Sequence, residues 1–294
     1  MKYKDLFFRC LFGQCIGLCF GCYGFCANNL PKNTWLFLTI GIFFITLFTL
    51  NELFFKGKGN PPHKEIFICS FSIIGVVLFM LYAYRLTQSY YVAFISQLIY
   101  PINVIYKVYI RKEKENITIT KLFLFLMLVI ITFFINKNND IFTFSILATI
   151  FALLGNIAII VNLYLVQNII KKCNVKLHLR YLSLYSFIIG LILTSILDRK
   201  HFLPMNEILP FYKNNIFYIL GYSLFLSSAY LMNPRYVKKY KPICFQTSML
   251  SSSSYLGIAK MIGPNFSYVK LGLYLVCITS SIILTIYSDA EEEI

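Results

Sequence analysis

The sequence predicts an all-α integral membrane protein of ten transmembrane helices arranged as two inverted five-helix repeats. Three observations carry this. Hydrophobic residues make up 58% of the 294 and charged residues only 13%, about half the charged fraction of an ordinary soluble domain. Apolar runs of roughly twenty residues, each long enough to cross a hydrocarbon core of about 30 Å, recur along the whole chain. The two halves also share a pattern at a matching period, weak residue by residue. The formal net charge of +15 would suggest nucleic acid for a soluble protein. Here the basic residues sit in short loops between apolar runs, so the membrane explains them and nucleic acid is not an expected partner.

The spans run approximately over 6–27, 34–54, 66–84, 90–110, 119–136, 141–168, 179–197, 215–233, 243–262 and 268–288. The first contains "CLFGQCIGLCFGCYGFC" (10–26). At about 100° per residue, Gly13, Gly17, Gly21 and Gly24 fall on one helix face and Cys15, Cys19, Cys22 and Cys26 on the opposite one. Glycines at that spacing let a neighbouring helix approach closely. Cysteines spread over about three turns of one helix cannot close a tetrahedral metal site or pair as disulfides, so no metal and no cofactor is expected. A cleaved signal peptide, with "MKYKDLFFR" as its basic start, is the competing reading. Against it, the sixth span opens with its own small-residue stripe, Ser145, Ala148, Ala152 and Gly155, as a counterpart of the first.

The breaks between spans carry ordinary loop chemistry, among them "KGKGNPPHK", "RKEKENIT", "DRKHFLPMNEILP" and "PRYVKKYKP". None is long enough to hold a soluble domain. With the N-terminus inside, alternate loops hold 19 of the 27 Lys and Arg. That bias places both termini in the cytosol. The sequons at Asn116 and Asn265 are expected to stay unmodified, the first in an inside loop and the second close to the membrane.

The halves divide at 1–137 and 138–294, the second ending in a short acidic tail. "YAYRLTQSYYVAFISQLIYP" (82–101) and "SAYLMNPRYVKKYKPICFQTSML" (228–250) share an Ala-Tyr pair near the end of an apolar span, then a break, then a helix holding Gln and Ser. Lys enters the last span of each half, "ITKLFLFLMLVIITFFI" and "YVKLGLYLVCITSSIIL". Five spans is an odd number, so the second copy must sit upside down, the arrangement of alternating-access transporters with a site near the midplane. In this respect the chain resembles the drug/metabolite transporter superfamily, the EamA-like ten-helix carriers. The resemblance is most specific at "SQLIYPINVIYKVYIRKEKENITITKL", and "QLIYPIN" is similar to the fourth helix of chloroquine-resistance-type transporters. Unlike those relatives, the 197–215 loop is short and has no cysteine. The resemblance implies a central cavity lined by helices 1, 3, 4, 6, 8 and 9.

Polar side chains inside apolar spans are costly, so each is a candidate. Gln97 and Asn103 flank Pro101, which frees a backbone carbonyl one turn earlier. Gln246 and the run Ser251–Ser254 occupy the inverted position, with Ser251 and Ser254 as candidates. Asn156 and Asn162 lie on helix 6 and Gln14 on helix 1. For all of these, kink satisfaction, serine back-bonding and interhelical hydrogen bonds are the structural alternatives. Glu52 is the only acid inside a span, and His63, His178 and His201 map to loops or helix ends. Exchange or uniport is therefore favoured over proton coupling. The expected function is secondary transport of a small organic solute, with that solute and the bilayer as partners and a homodimer left open. The competing classes are a membrane acyl- or glycosyltransferase, which would need gathered acid–base groups, and a non-transporting assembly factor.

Overall fold

A computed structural model describes residues 2–30, 36–54, 60–113, 117–137, 145–197, 205–240, 242–261 and 266–290. Among them every regular element is helical. They are α1 (Lys2–Asn29), α2 (Leu36–Phe54), α3 (His63–Leu86), α4 (Ser89–Ser96), α5 (Ile99–Ile105) and α6 (Ile119–Lys137), then α7 (Ile146–Lys172), α8 (Val175–Leu197), α9 (Met205–Lys239), α10 (Pro242–Met249), α11 (Ser252–Met261) and α12 (Tyr268–Ala290). A π-helix over Tyr106–Ile110 continues α5.

Seven segments among the described residues are long and apolar enough to cross a membrane: Lys4–Asn29, His63–Leu86, Ser89–Ile110, Ile146–Lys172, Val175–Leu193, Lys213–Lys239 and Tyr268–Ser288. Ile40–Leu50 and Ile119–Ile135 are apolar but shorter. Helices are the only open-chain solution in lipid, because each satisfies its own backbone. The side chains follow the same logic. Phe123, Phe134, Ile146 and Phe217 are more than half exposed, whereas Asn103, Asn156, Ser223, Gln246 and Thr285 are completely buried. Large apolar side chains turned outward, with amides and hydroxyls drawn in beside an apolar core, are the reverse of a water-soluble surface. The chain is built as a multi-pass membrane protein.

The main packing partners are α1 with α9, α3 with α7, α2 with α8 and α9, and α6 with α12. In addition α1 packs on α10 and α11, and α7 on α4 and α5. Asp5 of α1 pairs with Lys239 of α9, and Arg9 lies 5.4 Å over the Tyr240 ring. Glu65 of α3 pairs with Lys172 of α7. Arg111 lies 4.5 Å over Tyr164 of α7. At the other end the Ser89 N–H donates to Asn28 Oδ1 at 2.9 Å, and Lys260 lies 4.4 Å over Tyr90. The start of α1, the start of α3 and the ends of α7 and α9 thus share one end of the bundle, which gathers its basic residues.

The glycine stripe of α1 does what its spacing predicts, against a specific partner. A Cβ at Gly17 would stand 2.8 Å from the Ser248 carbonyl oxygen, and one at Gly21 would stand 2.8 Å from that of Ser252. The stripe therefore lies against the main chain of α10 and α11. On the opposite side Cys26 fills the space over Gly221 of α9. In the second stripe Ala148 and Ala152 are fully buried, Gly155 faces Met80 of α3, and Ser145 caps α7 by accepting from the Ala148 N–H at 3.2 Å.

Three expectations change. The span expected over 90–110 is interrupted at Gln97–Leu98, and the one over 243–262 at Leu250–Ser251. The stretches 205–214 and 234–239, read as loop, belong to α9, which contains Pro210 and Pro234. Hydrophobic periodicity marks only the lipid-embedded part of a helix, so polar extensions escape it. His178 does map to a helix end, the first turn of α8, and is fully buried there. His201, the Glu52 side chain and both sequons lie outside the described residues.

Candidate functional site

The two interruptions have different local causes. Pro101 has no N–H to give the Gln97 carbonyl, and it occupies the first turn of α5, where a missing donor is tolerated. Before it the chain tightens, with Gln97 N–H donating to Phe94 O at 3.1 Å and Leu98 N–H to Ile95 O at 3.0 Å. The α10–α11 break has no proline. There the hydroxyls compete for the main chain: Thr247 and Ser248 both donate to Cys244 O, at 3.0 and 2.8 Å, and Ser251 donates to Ser248 O at 2.7 Å. Such back-bonding loosens the helical ladder.

The two breaks meet. Gln97 Nε2 donates to Ser253 Oγ of α11 at 3.0 Å and to Thr132 Oγ1 of α6 at 2.8 Å. Asn156 Nδ2 of α7 donates to Ile95 O, in the last turn of α4, at 3.1 Å. Each interrupted helix is thus supported by the first helix of the other half of the chain: α7 for α4, and the α1 glycines for α10–α11.

Beside the crossing lies a cavity of about 510 Å³, part of it open to the outside. It is lined by Phe20 and Tyr23 of α1, Val76, Val77, Met80 and Tyr84 of α3, Ser96 of α4, Asn156 and Ile159 of α7, Leu226 of α9, and Met249 and Ser252 at the α10–α11 break. The aromatic wall is continuous: Tyr23 meets Tyr84 at 5.8 Å, Tyr222 at 5.1 Å and Phe20 at 6.3 Å between ring centroids. No lining residue carries a formal charge. The walls of this space can stack and hydrogen-bond.

Of the candidates, Asn156 alone lines the cavity. Gln97 holds the crossing, and Pro101 stands one turn beyond it. Asn103 and Gln246 are fully buried, on α5 and α10, and these two helices touch. Ser251 is tied to Ser248 under Gly17, and Ser254 is buried beside Cys277. Asn162 is structural: its Nδ2 donates to Ser72 Oγ at 2.9 Å and Cys69 Sγ at 3.3 Å, joining α7 to α3. Gln14 joins α1 to α11 by accepting from the Tyr255 hydroxyl at 3.1 Å. Sequence reasoning missed Ser96, Phe20, Tyr23, Tyr84, Met80 and Met249. Signals existed for Tyr23, which adjoins the stripe glycine Gly24, for Tyr84 in the repeated Ala-Tyr pair, and for Ser96 beside Gln97. Among the described residues no group of three or more His, Cys, Asp or Glu could hold a metal ion.

No family model matches the chain, and no curated protein matches it in sequence. A solved structure described as "Crystal structure of protein" superposes with a TM-score of 0.66, covering 95% of this chain and 98% of that one at 13% sequence identity. The two chains share a fold. At that identity the likeness carries nothing about substrate or activity.

Proposed function

We propose that this protein is a secondary transporter of a small organic solute, of the drug/metabolite transporter type, working by alternating access without ATP. The observation that carries the reading is the meeting of two interrupted helices, one from each half, beside a cavity lined by both halves. Interrupted helices at a repeat interface are the recurrent site architecture of secondary transporters.

In this reading the chain crosses the membrane ten times, with α4–α5 and α10–α11 each counting as one pass and both termini in the cytosol. The halves 1–137 and 138–294 are inverted five-helix repeats. Support comes from the packing partners. Exchanging α1 with α7, α2 with α8, α3 with α9, α4–α5 with α10–α11 and α6 with α12 turns the α1–α9 contact into α7–α3 and returns α2–α8 and α6–α12 to themselves. It also turns the α1 contacts with α10–α11 into those of α7 with α4–α5. The uncharged lining argues against an acyl- or glycosyltransferase centre there, which would need an acid or base within reach of the substrate.

The test is a thermal-stability screen of the purified protein against nucleosides, nucleotide sugars, phosphosugars, amino acids, short peptides and cationic drugs, followed by counterflow in proteoliposomes for each hit. A solute that binds only the folded state raises the melting temperature by mass action, and exchange across the bilayer establishes transport. Hits that bind without any exchange would refute the transport reading.

A further inference from the structure

Three buried carboxamides on touching helices, one lining the cavity and two beyond it, leave hydrogen-bonding atoms unused. Asn156, which lines the cavity, spends its Nδ2 on Ile95 and leaves Oδ1 without a partner. Gln246 uses neither amide atom. Asn103 comes beside Tyr164 of α7, yet neither of its amide atoms makes a hydrogen bond of normal geometry. All three side chains are 2% exposed or less, and the helices that bear them, α5, α7 and α10, all touch one another. Gln246 stands three residues before Met249, and Asn103 seven after Ser96. Helical spacing therefore puts Gln246 on the face of α10 that carries Met249, while Asn103, past the Gln97–Leu98 break, is placed by Tyr164, about two turns along α7 from Asn156.

Unpaired buried amides destabilise a fold. An apolar residue of similar volume would be more stable at each position, so a bound partner accounts for them best. A carboxamide offers a donor and an acceptor side by side, which matches a planar donor–acceptor edge such as that of a nucleobase. The flat rings of Phe20, Tyr23 and Tyr84 supply stacking surface. The lining carries no charge, and the cations beyond Asn103 are already engaged, Arg111 with Glu113 and the Tyr164 ring and Lys107 in contacts of its own, so a charged solute would lose its hydration without a free counter-charge. We propose that the cavity and the carboxamides of Asn103, Asn156 and Gln246 form a site for an uncharged solute with a planar donor–acceptor edge, of the nucleobase or nucleoside kind. This rests on the transport reading for its physiological meaning, but the site itself is testable separately.

The full chain in detergent is challenged with adenosine and uridine, and with AMP and choline as charged counterparts. Adenosine or uridine is expected to raise the melting temperature, and AMP and choline to leave it unchanged. Asn103→Leu and Gln246→Met are each expected to raise the unliganded melting temperature by about 2 °C or more. Each should abolish the nucleoside-dependent shift and reduce nucleoside counterflow at least about tenfold. If an apolar variant cannot be recovered, Asn103→Ser and Gln246→Asn carry the same expectation for the nucleoside shift. Silence of both nucleosides overturns the proposal. So does a response to AMP or choline as large as theirs, or variants that lose stability and keep the wild-type response. A nucleoside shift without counterflow leaves the site standing and removes the transport reading. Exchange of an anionic or cationic compound with no nucleoside response does the reverse.

Discussion

Gly21 of α1 and Gly272 of α12 show how much a single hydrogen atom in place of a side chain can decide. At Gly21 a Cβ would meet the Ser252 carbonyl oxygen at 2.8 Å and Tyr255 Cβ at 2.7 Å, whereas at Gly272 it would meet nothing within 4 Å. Gly21→Val should therefore force α1 off the α10–α11 main chain and cost about 1–3 kcal/mol. Gly272→Ala should be neutral, or stabilising by up to about 1 kcal/mol through helix propensity. Melting temperatures of the two variants in detergent check both, and equal effects would contradict the packing role of the stripe. Cys173, in the turn between α7 and α8, is half-buried. Burial first, and then the Glu65 carboxylate, push its thiol above the usual value. Both influences disfavour the thiolate, so alkylation should be slow at neutral pH and rise about tenfold per pH unit between pH 7 and 9. In a variant lacking the other eight cysteines, Glu65→Gln should accelerate labelling at fixed pH. A rate that ignores both pH and this substitution would show that the thiol does not feel Glu65.

At the scale of the element, the interruption of α4–α5 is the feature to test. Pro101→Ala supplies the i→i−4 donor to the Gln97 carbonyl, which otherwise accepts only a long bond of 3.4 Å from the Tyr100 N–H, and lets the helix run through the crossing. We expect an unchanged or higher melting temperature together with counterflow slower by about tenfold, because a continuous helix removes the unwound main chain at which such sites are built. Unaltered counterflow would mean that the break is packing alone. The bond from Gln97 to Ser253 is a lesser term for stability, since interhelical hydrogen bonds in membranes average about 0.6 kcal/mol. Its weight lies in registering one interrupted helix against the other. Proline made the first break legible in the sequence to within one turn. The second, at Leu250–Ser251, was not legible, because a serine run either back-bonds within a continuous helix or breaks it, and only the neighbouring α1 glycines decide which.

At the scale of the whole molecule, the uncharged lining of the cavity governs what the bundle can carry and what can drive it. No acid or histidine lines the cavity. Counterflow in proteoliposomes should therefore proceed at the same rate with and without an imposed pH gradient, and a protonophore should not change it. Acceleration by an inward proton gradient would instead implicate a titratable group away from the cavity. The basic end of the bundle, where Asp5, Lys239, Glu65, Lys172 and Arg111 gather, matches the loop-by-loop charge alternation along the chain.

What the sequence by itself determined is the solvent: runs of about twenty apolar residues and sparse charge admit only helices buried in lipid, and the glycine spacing on α1 already required a close neighbour. It also marked the polar residues worth watching, since any amide in such surroundings needs a reason. The tertiary structure decided which reason applied to each. Asn162 found its partners on α3, and Gln97, Gln14 and Asn156 each spend one amide atom on a neighbouring helix, whereas Asn103 and Gln246 keep both amide atoms unpaired beyond the cavity. No periodicity could separate the two groups, because they differ only in what stands opposite them. That depends on helices distant in sequence that the membrane leaves free to choose their neighbours by shape and hydrogen bonding alone.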